Sequence, residues 1–282
     1  MVSGHSTEPS RRQTRIRHVL ITGAASPLGG AVCRAFRKEG IRVDGTYRPN
    51  GNLPPSGLFD ELIPLDLTKR DDFSLLKAPY DAVVHVASLA EGRTTDILEC
   101  TALSTAFLLE KVQESGIPVF VHVSSMAVYG AITTDLVDTD TPIRHTTPFG
   151  ASKWAAECFI GAHSPQIRGV SVRTPAIVGK RSHRHFLART LQAMNQQAPA
   201  IELLNPDFGS NNLIHEDTLA EFLVHLAMHP PATFCAVPVS SSAPMTLRDI
   251  VDRLTRVSGY TGRVNWSRSH IRPFAINPDR AL

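Results

Sequence analysis

The feature that most constrains the fold is a short apolar strand followed at once by a glycine-bearing turn and an amphipathic helix. The strand-like run covers 17–21, the turn contains Gly23 and Gly29, and the helix-period run 31–39 ends at Gly40. Gly23 permits a tight turn, and Gly29 allows the helix to pack closely on the strand. Free amides at the start of such a helix can bind a pyrophosphate. The pattern therefore predicts the first half of a dinucleotide-binding unit.

The turn departs from the usual G-x-x-G-x-x-G pattern at its middle position. Ser26 stands in place of the middle glycine, and Pro27 follows it, so the backbone can approach a phosphate less freely. An ordinary turn between a strand and a helix is the alternative interpretation. The predicted phosphate-binding residues are Gly23, Ser26, Pro27, Leu28 and Gly29.

Strand-like and helix-like runs alternate along the first two thirds of the chain. Strands are predicted at 41–47, 59–67, 81–88, 117–125 and 167–172, with a long amphipathic helix over about 94–114. This alternation predicts an α/β fold, a doubly wound parallel sheet of Rossmann-like type. The rhythm changes after residue 179. We therefore expect a disordered basic leader at 1–15, a dinucleotide-binding domain at 16–179, and a small C-terminal substrate-binding lobe at 180–282. Some segments of that lobe return to the core domain.

The residue after the second strand indicates the type of cofactor. An acid there would bind the ribose 2′-hydroxyl of NAD, whereas an arginine suits the 2′-phosphate of NADP. The chain has Arg48 at this position, and Asp44 lies three residues before Tyr47, the last residue of the strand, on the opposite strand face. We therefore predict NADP rather than NAD, unless Arg48 is simply a surface arginine. Further predicted cofactor contacts follow the next strands: Asp66, Leu67, Val86 and Ala87.

Composition excludes several classes of partner. A net charge of +3 over 282 residues, with much of the excess in 11–17, is too mild to indicate nucleic-acid binding. Four scattered cysteines without a C-x-x-C pair favour reduced thiols, and no apolar run approaches a membrane span. We therefore expect a cytoplasmic protein.

A basic, histidine-rich segment lies at 180–189. Metal binding by His183 and His185 lacks a nearby third ligand, so no metal site is predicted. A set of cations for an anionic substrate and an ordinary solvated helix start remain the alternatives.

Most of the candidate catalytic residues lie between residues 121 and 157. A strand ends in Ser124 and Ser125, a turn carries Tyr129, and a helix begun by Pro148 carries Lys153. Such an arrangement can serve proton and hydride chemistry. Phe149, one helical turn before Lys153, stands where a phenol would be wanted.

Taken in order, these motifs resemble the extended short-chain dehydrogenase/reductase family, in its NAD(P)-dependent epimerase/dehydratase group. The resemblance covers roughly 17–282. The motifs that carry it are TGAASPLG at 22–29, DAVVHVA at 81–87, SSMAVYG at 124–130, PFGASK at 148–153, VRTPAIVG at 172–179, NLIHED at 212–217 and PFAINPDRAL at 273–282.

The resemblance implies roles for single positions. Ser125 matches the hydroxyl that hydrogen-bonds the reacting oxygen, and Lys153 matches the lysine that binds the nicotinamide ribose and lowers the pKa of a catalytic tyrosine. That tyrosine falls at Phe149. Pro175, Ala176 and Ile177 match cofactor contacts. Thr101 stands where the family tends to have asparagine.

The resemblance also implies a homodimer through a helix bundle that includes the Lys153 helix. In such a dimer Trp154 and Phe159 could lie at the interface, although core packing explains these two residues as well.

The expected function is an NADP-dependent oxidoreductase, epimerase or dehydratase-like enzyme acting on a small polar substrate, sugar-like or anionic. Its acid–base chemistry would be altered by Phe149. Tyr129, His145 with its neighbours Thr146 and Thr147, or the substrate itself could supply the missing acid. The alternatives are a cofactor-binding pseudoenzyme, serving as sensor or partner subunit, and a non-redox lyase, isomerase or cyclase.

Overall fold

A seven-stranded parallel sheet forms the centre of the protein. The computed structural model describes residues 15–77, 79–180, 185–269 and 274–277. The sheet strands are β1 His18–Thr22, β2 Arg42–Tyr47, β3 Glu61–Pro64, β4 Ala82–His85, β5 Val119–Ser125, β7 Arg168–Thr174 and β12 Cys235–Pro238. Their spatial order is β12-β7-β5-β4-β1-β2-β3, and every neighbouring pair is parallel. The predictions for residues 1–14 and for His183 concern positions outside the described residues.

The remaining strands form four two-stranded pairs around this sheet. They are β6 Leu136–Val137 with β15 Ala275–Ile276, β8 Ala176–Val178 with β11 Leu213–His215, β9 Ala200–Leu204 with β14 Arg263–Ser267, and β10 Gly209–Ser210 with β13 Met245–Thr246.

Seven α-helices connect the strands in the part of the chain that the structure describes. They are α1 Pro27–Lys38, α2 Thr94–Leu98, α3 Ser104–Glu114, α4 Pro148–Ala162, α5 Phe186–Asn195, α6 Glu216–Met228 and α7 Leu247–Ser258. A π-helical turn, Glu99–Leu103, joins α2 to α3, so the long helix predicted over 94–114 contains an irregular turn. None of the described helices is long and apolar enough to cross a bilayer.

Side chains that alternate along each central strand pack against helices on both faces of the sheet. Val19 and Ile21 of β1 pack in the apolar cluster that contains α1 and α6, whereas Leu20 packs in the cluster that contains α3. Successive side chains of a strand point to opposite faces, so each central strand contributes to both layers. The predicted doubly wound parallel sheet is confirmed.

A smaller apolar cluster lies apart from the main core. It joins α5, β9, α7 and the segment before β14 through Met194, Ile201, Val251 and Tyr260. Between these elements the chain returns to the main body, because α6 packs on α1 and β12 extends the large sheet. The proposed division of the chain at residue 180 stays a prediction.

Candidate active site

The described residues line two neighbouring cavities at the carboxyl edge of the sheet, and the larger of these adjoins the turn after β1. It has a volume of about 650 Å³ and is lined by the turn after β1, the end of β2 and the segments after β3 and β4. Open parallel sheets bind ligands at this edge, and this volume is ordinary for a ligand pocket. The predicted cofactor residues that line it are Gly23, Ser26, Pro27, Leu28, Arg48, Leu67, Val86, Ala87 and Ile177.

The turn after β1 packs closely against the segment after β4. Gly23 has a φ of 74°, and a Cβ added there would lie 2.9 Å from the amide nitrogen of Ala87. Ser26 accepts a hydrogen bond from the Gly29 amide at 3.0 Å and caps α1, while Pro27 occupies the first helical turn. The two departures from the glycine pattern therefore start the helix. The turn also lines the larger cavity.

The end of β2 offers this cavity a cation. Arg48 is exposed, and its Nη2 lies 3.4 Å from Cys100 Sγ. The carboxylate of Asp44 is fully buried, where it bonds to His18 Nε2 at 2.8 Å and accepts from the Tyr80 hydroxyl at 3.2 Å. Asp44 is therefore unavailable to a ribose.

Asp66 lies beside the cavity rather than in its lining. Its Oδ1 accepts from the amide of Thr68 at 3.1 Å and from the Thr68 hydroxyl at 2.9 Å. Partial burial raises the pKa of Asp66. The hydrogen bonds from Thr68 and the positive charges of Arg48 and Lys69 lower it by more, so the pKa lies below its ordinary value. Asp66 is therefore an ionised residue that shapes the loop before Thr68, and Leu67 provides the cavity surface.

A second cavity of about 420 Å³ lies at the ends of β5 and β7. It is lined by Ser125, Met126, Thr174, Pro175, Ala176, Asn212 and Phe274. Ser125 Oγ accepts from the Ala127 amide at 3.1 Å, which leaves its proton free to be donated. Asn212 Nδ2 donates to the Phe274 carbonyl at 3.3 Å, and its Oδ1 is buried without a hydrogen bond among the described residues. The lining of this cavity therefore includes a hydroxyl that can donate, and one lining residue, Asn212, has an amide oxygen left unpaired by the described residues.

Lys153 lies behind the cavities instead of lining them. Its side chain is 2% exposed, and Nζ donates to the Val123 carbonyl at 2.6 Å and lies 3.4 Å from His122 Nε2. Burial lowers the pKa of Lys153 to about 7, although the charge of Glu157 acts in the opposite direction. The half-buried Phe149 places its ring centroid 5.9 Å from the same Nζ. The predicted contact of Lys153 with a cofactor ribose is thus not prearranged.

Tyr129 and His145, predicted as substitute acids, are not among the described residues that line either cavity. Tyr129 is buried, and its hydroxyl donates to the Asp138 carbonyl at 2.6 Å. Burial also raises the pKa of Tyr129. His145 is exposed on the loop before α4 with a φ of 47°. The geometry therefore gives no support to either residue as the missing acid.

The threonines after His145 hold the loop together. Thr146 Oγ1 donates to the Ala127 carbonyl at 2.7 Å, and Thr147 caps α4 by accepting from the Gly150 amide at 3.1 Å. Both hydroxyls therefore already have a structural partner.

A buried charged network lies under the second cavity, and sequence reasoning missed it. Arg173 Nη2 donates to Glu157 Oε2 at 2.7 Å, and Arg173 Nε donates to Oε1 at 3.1 Å. Ser124 Oγ donates to Glu157 Oε1 at 2.6 Å, and Arg173 Cζ lies 4.7 Å from the centroid of the Tyr129 ring. One available signal was the position of Glu157 four residues after Lys153, on the same helix face.

His122 was also missed, although it is a histidine in an otherwise apolar strand. It is fully buried, its Nδ1 is hydrogen-bonded to Ser171 Oγ at 3.1 Å, and its ring stacks on His85 at 5.7 Å. Burial and the nearby Lys153 charge lower the pKa of His122. His85 is a buried core histidine, with its ring nitrogens bonded to the hydroxyls of Thr22 and Thr105.

The π-helical turn has a local function at the edge of the larger cavity. Thr101 Oγ1 accepts from the Leu89 amide at 3.1 Å and donates to the Leu89 carbonyl at 3.3 Å. Leu89 lines the cavity. Thr101, noted in the sequence as a departure, thus fixes the loop after β4.

Comparison with known protein families gives one match that covers most of the chain. The model described as NAD dependent epimerase/dehydratase family matches residues 19–234. Similar curated proteins include UDP-arabinose 4-epimerase 1 of Arabidopsis thaliana, 28% identical over 170 residues, which are 54% of this chain and 40% of that protein. The dTDP-glucose 4,6-dehydratase of Streptomyces niveus is 29% identical over 157 residues, which are 49% of this chain and 47% of that protein. The chain thus spans less than half the length of these two relatives.

Solved structures show the same fold. UDP-glucuronic acid 4-epimerase from Bacillus cereus, in complex with NAD, superposes with a TM-score of 0.79 at 20% identity, covering 94% of this chain and 90% of that one. UDP-glucose 4-epimerase from Brucella ovis, also in complex with NAD, gives a TM-score of 0.79 at 18% identity over 93% of this chain and 90% of that one.

Proposed function

The chain belongs to the NAD dependent epimerase/dehydratase family, and from that premise we propose that it binds NAD(P) and acts on a small, sugar-like substrate. The observation that carries this proposal is the arrangement of the two cavities. They adjoin at β8, where Ala176 lines the smaller cavity and Ile177 lines the larger one. A dinucleotide in the larger cavity would thus lie next to a substrate held at Ser125.

Each cavity has groups suited to its proposed occupant. The turn at Gly23 and Ser26 would hold the pyrophosphate, and Arg48 would lie by the adenosine ribose. When bound, NAD(P) would accept a hydride in its oxidised form and donate one in its reduced form. At the smaller cavity the Ser125 hydroxyl would donate to the reacting oxygen of the substrate, and Asn212 Oδ1 would accept from a substrate hydroxyl.

Acid–base catalysis is the step in which this chain would differ from the pattern of the family. Phe149, which the resemblance places at the position of the tyrosine, carries no transferable proton, and general acid–base catalysis contributes about 10²–10⁴-fold. Around the smaller cavity, transferable protons remain on the Ser125 hydroxyl and, behind it, on Lys153 Nζ. A substrate with its own acidic proton would also need no phenol.

Incubation with NAD⁺ or NADP⁺ and one of UDP-glucuronic acid, UDP-glucose or dTDP-glucose, followed by separation of the nucleotide sugars, tests the proposal. An epimerised or dehydrated sugar is expected, with its rate lowered by Ser125→Ala. Lack of conversion of every sugar by a protein that does bind dinucleotide would reject the proposed activity.

A second candidate is a cofactor-binding pseudoenzyme. The observation that favours it is the position of Lys153, whose Nζ is bonded to the Val123 carbonyl behind both cavities. Such a protein would bind dinucleotide and change its own stability or assembly without converting a sugar. The same assay separates the two candidates.

We propose NADP as the preferred cofactor, although the similar solved structures are complexes with NAD. Arg48→Ala is expected to weaken NADPH binding about 10- to 100-fold, because a charge-assisted hydrogen bond contributes about 1.5–3 kcal/mol. NADH affinity should change less than about twofold, because NADH has no 2′-phosphate for Arg48 to bind. Fluorescence titration of both reduced cofactors measures this, with Arg256→Ala on α7 as a control.

Equal losses for NADPH and NADH in Arg48→Ala, or tighter wild-type binding of NADH, would contradict the preference.

The homodimer and the cytoplasmic location stay predictions. Trp154 and Phe159 on α4 are 45% and 37% exposed.

A further inference from the structure

His185 lies at the larger cavity and uses one of its two ring nitrogens inside the fold. The residue lines the cavity and caps α5, because its Nδ1 accepts from the Ala188 amide at 3.3 Å. A ring nitrogen that accepts carries no proton, so the neutral imidazole must carry its proton on Nε2. The cap therefore fixes the tautomer and makes Nε2 a donor.

This donor has no acceptor among the described residues. Nε2 of His185 is buried and makes no hydrogen bond there. The carboxylate of Glu216, which lines the same cavity, does not accept this proton. Buried polar groups are nearly always paired, so an unpaired one beside a cavity indicates an acceptor supplied by a ligand. Burial and the charge of Arg189 lower the pKa of His185, which keeps the ring neutral at neutral pH.

We propose that His185 binds the dinucleotide by donating a hydrogen bond from Nε2 to one of its oxygens. The proposal rests on the proposed function, because it needs a dinucleotide in the larger cavity. It adds a binding residue from the segment after β8, beyond the strand-end residues that the sequence indicated. His185 would thereby join the start of α5 to the cofactor site.

A substitution that separates the two ring nitrogens tests this role. His185→Asn keeps a good cap for α5 but removes the unpaired Nε2 donor, whereas His185→Ala removes both. We expect His185→Asn to bind NADPH and NADH about tenfold more weakly than wild type, the loss expected for one hydrogen bond. Its melting temperature without ligand should match that of wild type, and that of His185→Ala should be lower. His163→Asn, the same change at the end of α4, should bind like wild type.

The outcomes separate this inference from the function on which it rests. Wild-type affinity in His185→Asn would overturn the inference alone, and so would a loss confined to His185→Ala, which would assign His185 only a capping role. Failure of the wild type to bind either dinucleotide would overturn the proposed function as well. His185→Ser, a second cap-preserving variant, replaces His185→Asn if the latter does not fold.

Discussion

Phe149→Tyr is expected to raise the rate of sugar conversion about 10²–10⁴-fold, the usual contribution of a positioned general acid or base. The new phenol would stand on the first turn of α4, near Lys153 Nζ, which lies 5.9 Å from the centroid of the present ring. A phenol has an ordinary pKa of about 10, and a nearby ammonium lowers it toward neutrality. The measurement is the initial rate of nucleotide-sugar conversion at saturating NAD⁺ and NADP⁺, compared with wild type.

Two control variants show whether the gain comes from a phenol at this site. Phe159→Tyr makes the same change at an exposed position on the same helix and should leave the rate unchanged. Phe149→Tyr combined with Ser125→Ala should lose most of the gain, because Ser125 would hold the reacting oxygen. A Phe149→Tyr protein that binds dinucleotide as wild type does but is no faster would show that the phenol was not the missing group.

Glu157→Gln is expected to lower the free energy of unfolding by about 3–5 kcal/mol, because it leaves the Arg173 charge buried without its partner. The side chains of Arg173 and Glu157 are 8% and 3% exposed, and Arg173 Nη2 lies 2.7 Å from Glu157 Oε2. The carboxylate also accepts the Ser124 hydroxyl at 2.6 Å, so the substitution disturbs the end of β5 beside Ser125. Denaturant unfolding followed by circular dichroism gives the change.

Replacing both partners of the Arg173–Glu157 pair should lower the free energy of unfolding much less than replacing one of them. Glu157→Leu with Arg173→Met removes both charges and keeps apolar volume, a change that is often near neutral. Asp96→Asn, which breaks the exposed Arg93–Asp96 pair, should leave the unfolding curve unchanged. If Glu157→Gln unfolds like wild type, the buried pair does not stabilise the fold as its geometry indicates.

The fold was readable from the sequence because its determinants are local. The turn at Gly23 and the alternation of apolar strands with amphipathic helices specify a layered sheet without knowledge of distant contacts. Ser26 was interpreted as an obstacle to phosphate approach. Its role as the cap of α1 depends on the rotamer that lets Oγ reach the Gly29 amide, and the sequence does not contain that information.

The site was less predictable because tertiary contacts decide it. Helical spacing places Lys153 and Phe149 on one face, but it does not show that Nζ turns to the Val123 carbonyl and His122. Tyr129 follows Ser125 on a short turn that could reach the cleft. The Asp138 carbonyl and the Arg173 guanidinium hold it in the interior instead.

Direct titration of the wild-type protein with NADPH and NADH tests the central claim that the larger cavity is a dinucleotide site. We predict saturable binding of NADPH with a dissociation constant in the micromolar range, one molecule per chain, and weaker binding of NADH. Absence of binding of both cofactors by a folded wild-type protein at millimolar concentrations would contradict it.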